Sequence, residues 1–168
     1  MVQHTNLPLR RILTAMCTII CLICSVGCSD DFKGMLPGEV RLKEKEYIGD
    51  DDVQSITVTL ADETQQHISA LEIRTIWHSI VIKAEDLFTR SDPQTNNTYE
   101  SPTQAESAFL ECVRQSSELF VQTYADTQHA ILQELVRAKV RADIKYVWCD
   151  QPGEYVTLSF EVSPIVTE

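Results

Sequence analysis

Asp126 and His129 stand one helical turn apart, with Ser116, Ser117 and Tyr124 nearby in sequence. These are the residue types of a hydrolytic triad. A triad also needs its nucleophile on a strained turn beside an oxyanion hole, and the chain holds no Gly-x-Ser-x-Gly. A hydrogen bond on a helix surface is therefore the expected role of the pair. His67 and His78 are eleven residues apart; on one helix they share a face but lie about 16 Å apart along its axis. That is too far for one metal ion, whereas ligands at i and i+4 would converge. With Arg74 they are expected to form a solvated stripe. The contiguous Asp50-Asp51-Asp52 lacks the alternating acids, central Gly and distant Glu of an EF-hand, so it reads as a solvated turn. Glu85 and Asp86 are adjacent on a predicted helix and do not face each other. Cys149 beside Asp150 has no neighbouring base, and the five glycines make no phosphate-cradling loop. No catalytic residue, metal site or cofactor is expected, and the chain is read as a non-enzyme.

Cysteine chemistry is the stronger signal. Four of the six cysteines, Cys17, Cys21, Cys24 and Cys28, fall in the first 28 residues. There Arg10 and Arg11 precede an apolar run from Ile12, and Ser25-Val26-Gly27 leads into Cys28, with no acid before Asp30. Positive charge, a short apolar stretch and small residues at a cut site describe a secretory signal. Residues 12–27 would span about 24 Å as a helix, short of the roughly 30 Å hydrocarbon core. Ser25-Val26-Gly27-Cys28 resembles the lipobox of bacterial lipoproteins, with Ser25 where Leu is usual. The resemblance implies diacylglyceryl transfer to the Cys28 thiol, cleavage before Cys28 and removal of residues 1–27. Ser29 after the cysteine implies passage to the periplasmic face of an outer membrane in preference to retention at the inner membrane. An ordinary signal peptidase site and an uncleaved anchor remain open readings of the same residues.

Removing Arg10 and Arg11 with the signal takes the net charge from −11 to −13. Such a surface repels nucleic acid and anionic headgroups, so the expected membrane contact is the lipid on Cys28 alone, at about 0.8 kcal/mol per buried CH₂. The remaining chain suffices for one domain with its own core. If Cys28 is acylated, Cys112 and Cys149 are left as a pair in an oxidising compartment. They are read either as a disulfide or, since Cys112 lies on the stripe Phe109, Cys112, Val113, as core thiols.

The elements that must position these groups follow from periodicity. Residues 28–39, with Gly34, Pro37 and Gly38, read as a lipidated cysteine and flexible tether, and residues 40–168 as the domain. An edge strand is expected over 40–48, and Ile56, Val58 and Leu60 alternate as a second. Asp62 is taken as the N-cap of a helix over 63–89 with Ile73, Trp77, Ile80, Val81, Ala84 and Phe88 on one face. Ser101-Pro102-Thr103-Gln104 starts another, running to about Ala138. At about 54 Å it should break near Ser116-Ser117 or Asp126-Thr127. Alternation through Val140–Trp148 and Val156–Val162 gives an antiparallel hairpin with one wet face. The expected fold is α+β, order ββ-α-α-ββ, a small antiparallel sheet covered on one face by two long helices.

Two functions fit. One is a non-enzymatic accessory or scaffold lipoprotein that docks on another envelope protein. The alternative is a module binding a lipid, peptide or small molecule between helices and sheet, suggested by Ile76 and Ile82 off the main stripe.

Overall fold

The computed structural model describes residues 30–89, 98–123 and 125–166, with the side chains of residues 122–126 left aside. The chain divides into two compact units, residues 1–33 and 34–168. Of the first, only the short 3₁₀ turn Asp30–Phe32 is described; Cys28 and the whole expected signal lie outside the described residues. The second unit is an α+β domain.

Its main sheet is antiparallel. β1 (Val40–Ile48) and β5 (Glu154–Val162) flank the central β4 (Arg141–Gln151). Alternation in β4 turns Ala142, Ile144, Tyr146 and Trp148 to a buried face, where β5 adds Leu158, Phe160 and Val162. The opposite face is ion-paired at its centre, where Lys145 Nζ donates to Glu44 Oε2 across β1 and β4 at 2.7 Å, while Val147 and Cys149 on it are buried. That bond lowers the Glu44 pKa and raises that of Lys145. Part of the expected tether is fastened to this sheet. The Gly38 N–H donates to Cys149 O at 2.7 Å, the Cys149 N–H donates to Glu39 O, and Met35 is buried. Gly38 sits at φ +83°, and a Cβ there would meet Tyr99 O at 2.8 Å, so only glycine fits this crossing.

β2 (Ile56–Thr59) and β3 (Gln65–Ile68) form a separate two-stranded hairpin. This corrects the expected helix start. Asp62 caps the hairpin turn instead, its Oδ1 accepting from the Thr64 N–H and hydroxyl, with Glu63 at positive φ. The helix α1 (Ala70–Thr89) begins seven residues later at a capping box: the Glu72 N–H donates to Ser69 Oγ, and the Ser69 N–H donates to Glu72 Oε2. α2 (Pro102–Thr123) starts at the expected cap, with the Gln104 N–H donating to Ser101 Oγ, while Gln104 Oε1 accepts from the Glu100 N–H. In place of one long helix the described residues form two, α2 and α3 (Ala125–Ala138), which meet close to Asp126-Thr127, one of the two expected breaks. The described residues thus form three helices, in the order βββ-ααα-ββ. α3 ends in a Schellman turn, the Val140 N–H bonding Leu135 O and the Lys139 N–H bonding Val136 O, with Lys139 left-handed at φ 57°.

The apolar stripes of α1 and α2 meet the buried sheet face through aromatic rings. Phe109 stacks on Phe160 with centroids 4.4 Å apart, and Phe88 lies edge-on to Tyr146 at 4.9 Å. The space between helices and sheet is a packed core.

Candidate functional site

The structure keeps the expected chemical residues apart. Cys112 and Cys149 are free thiols, not the bridge considered from their parity. Cys149 follows Trp148 and so points to the outer face, beneath Met35, while Cys112 packs on the helix-side core; the sheet separates them. Burial raises both thiol pKa values, helped by Glu111 at Cys112 and by Glu39 at Cys149, which disfavours the thiolate a nucleophile requires. The Ser116 hydroxyl donates to Ile80 O at 2.7 Å and locks α2 to α1. The Asp126 side chain lies outside the described residues, and His129 bonds Gln133 at 3.0 Å. Among the described residues no three His, Cys, Asp or Glu side chains converge as a metal site, and no helix is long and apolar enough to cross a membrane.

The stripe expected from His67, Arg74 and His78 does not form. His67 is exposed on β3, not on a helix. His78 is half-buried, bonded through Nε2 to Asp50 Oδ2 and stacked on Tyr47 with centroids 4.0 Å apart. Beside it Lys45 Nζ donates to Glu85 Oε2 at 2.6 Å and sits 5.7 Å from the Tyr47 ring centre. Burial raises the Tyr47 pKa, partly offset by Lys45. These five side chains fasten β1 and its following turn to α1. The spacing i, i+2 at 45 and 47 and i, i+7 at 78 and 85 puts each pair on one face. That spacing was the available signal; that the two faces meet is a tertiary fact.

On its solvent side α1 is also apolar. Leu71, 68% exposed, and Ile76 line a cleft of about 580 Å³ closed by Ile68 of β3 and Ile131 of α3, with Thr75, Thr127 and Gln128 among its polar walls. Ile82, 47% exposed, lines a second cleft of about 500 Å³ with Leu119 and Phe120 of α2. Gln128 lines both, and its Oε1 is buried with no hydrogen-bond partner. Leu71 to Ile82 covers three turns, about 16 Å of helix at 1.5 Å per residue. The residues off the main stripe therefore do line hollows, but on the solvent side of α1 rather than between helices and sheet. The clefts can bind apolar side chains. Comparison with protein-family models, curated proteins and solved structures finds no match to this chain.

Proposed function

We propose that this protein is an exported, lipid-anchored accessory subunit that holds another envelope protein against the solvent side of α1. The observation that carries the docking reading is the pair of adjoining clefts lined by Leu71, Ile76 and Ile82 over a core already filled by Phe88, Phe109, Tyr146 and Phe160. Exposed apolar residues grouped in this way mark interaction surfaces. The anchor rests on Ser25-Val26-Gly27-Cys28, and the acidic surface favours attachment through the lipid rather than through headgroup contacts.

Two experiments separate the halves of this reading. Acyl labelling in cells should mark the parent chain and not Cys28→Ser; label on that variant overturns the anchor. Photo-crosslinkers at Thr75 and Ser79 should trap one envelope protein, and Leu71→Asp with Ile82→Asp should abolish the adduct. An adduct that survives both substitutions removes the groove from the proposal.

The Gln128 acceptor favours a second reading, in which the larger cleft takes a small apolar molecule bearing a hydrogen-bond donor. Its volume lies within the roughly 300–1,000 Å³ of ligand sites. Native mass spectrometry of the protein as purified should then find a bound species that Ile131→Trp displaces. A bare mass throughout refutes this reading.

A further inference from the structure

The groove on the solvent side of α1 is charged differently at its two ends. Among the described side chains that line the larger cleft, Glu72 alone carries a charge. The second cleft holds both signs, Lys83 and Asp86, and so selects neither. Glu72 is bonded but not neutralised. Its Oε2 accepts from the Ser69 N–H and hydroxyl, uncharged donors that favour the carboxylate form, with a smaller pull from His67 on β3. Its Oε1 takes no hydrogen bond from the described residues. The positive end of the α1 dipole is equivalent to about half a charge, so the carboxylate sets the sign at this end of the groove.

Two neighbouring oxygens are acceptors as well. Thr75, one turn on from Glu72, spends its hydroxyl proton on Leu71 O at 2.7 Å, which leaves only lone pairs for a guest. Gln128 Oε1 is buried in the facing wall without a partner. Around these groups Leu71, Ile76 and Ile131 offer apolar surface. A negative charge and acceptors beside an apolar wall suit a donor-rich cation on an aliphatic stem. Lysine and arginine are built this way: the stem lies on apolar surface and the head stays at the wet rim, where Glu72 is exposed.

We propose that the partner segment in the α1 groove carries a lysine or arginine at the Leu71 end, its stem on Leu71, Ile76 and Ile131 and its head at Glu72. This rests on the docking reading above and gives the groove a direction. The basic residue goes to the first turn of α1 and apolar residues go to the rest, so the charge fixes register and the apolar contacts supply the area.

Synthetic amphipathic helices with Leu at i, i+4 and i+8 and one variable residue at i−4 are the probe, titrated into the full-length protein and followed by fluorescence anisotropy. An exposed ion pair changes affinity by up to about fivefold and a like-charge pair opposes it, so Lys at i−4 should bind about tenfold tighter than Glu there. In about 1 M salt, where the Debye length is about 3 Å, the two should agree within about twofold. Glu72→Gln removes the charge but keeps the capping box, which accepts either residue. It should erase the preference with circular dichroism unchanged, and Glu72→Lys should invert it. Lys moved to i+12 should bring no gain. Equal affinity of the Lys and Glu peptides, a preference that survives Glu72→Gln, or an equal gain from Lys at i+12 would overturn the proposal. If Leu71→Asp with Ile82→Asp abolishes that binding all the same, the docking reading stands without it. No binding by any peptide also overturns the proposal, and the docking reading falls too when the cell adduct ignores those two substitutions. A groove already filled, by a second copy in sedimentation or by a small amine in native mass spectrometry, overturns it equally.

Discussion

Replacing Lys45 by Met should cost far more than the Lys45–Glu85 pair contributes. The Nζ···Oε2 distance is 2.6 Å, the two side chains are only 24% and 12% exposed, and Glu85 Oε1 is buried without a partner. Burial works against the Lys45 ammonium, but Glu85 more than offsets it and holds the Lys45 pKa above its ordinary value. At an effective dielectric of about 20 the attraction is roughly 6 kcal/mol, against a desolvation penalty of several kcal/mol for each ion. The intact pair is therefore close to neutral. Removing Lys45 leaves the carboxylate's penalty uncompensated, about 3–5 kcal/mol for full burial. We expect Lys45→Met to lose about 3 kcal/mol at pH 7, near 10 °C in Tm. Lys45→Met with Glu85→Leu should return to within about 1 kcal/mol of the parent. Urea unfolding followed by tryptophan fluorescence measures all three. A single-variant loss under about 0.5 kcal/mol, or a double variant as weak as the single, would refute the reasoning.

Three further outcomes are expected. Lys139→Gly should stabilise by about 0.5–1 kcal/mol, since Lys139 holds the left-handed position that glycine takes without strain; a lower Tm would contradict the strain. Stability should fall as the pH drops from about 4.5 toward 2. Hydrogen bonds from Arg114 and Gln115 hold Glu111 down to about 2, Lys145 holds Glu44 low, and Ser69 holds Glu72 low, so the folded state binds these protons more weakly than the unfolded chain. High salt should weaken the Glu111 and Glu44 contributions and spare Glu72, whose partner is uncharged; a flat acid limb in denaturant titrations would count against this. Leu71→Asp should leave Tm within about 1–2 °C, because an exposed change away from a cap or core costs little, and a large loss would mean that Leu71 is core.

Local patterns carried most of the fold. Alternation placed β4 and β5, and the stripe from Ile73 to Phe88 placed the inner face of α1, because burial on one side imposes period 2 on strands and 3.6 on helices. The start of α1 was misread because Asp62 and Ser69 are both good caps, and the segment between them, Gln65-Gln66-His67, has no apolar alternation to announce a strand. What makes it β3 is its pairing with Ile56–Thr59. Likewise His78 looked solvated because Asp50 and Tyr47 reach it from another element. Ile76 and Ile82 were legible as apolar residues off the stripe, but not the partner walls from α2 and α3.

α1 joins these points. Ile73, Trp77, Ile80, Val81, Ala84 and Phe88 are buried on one side, and Leu71, Ile76 and Ile82 line hollows on the other. A surface helix needs one apolar stripe, and a helix that is apolar nearly all round belongs in an interior. The sheet accounts for the inner stripe and the Lys45–Glu85 and Asp50–His78 pairs for the β1 side. The outer residues are left as the surplus, and α2 and α3 only partly cover them. If that surplus serves docking, converting Leu71 and Ile82 together to Gln should leave stability within about 0.5–1 kcal/mol and remove the crosslinked partner. If instead it completes the fold, the same variant should unfold at lower urea with the partner adduct intact, and the docking reading fails.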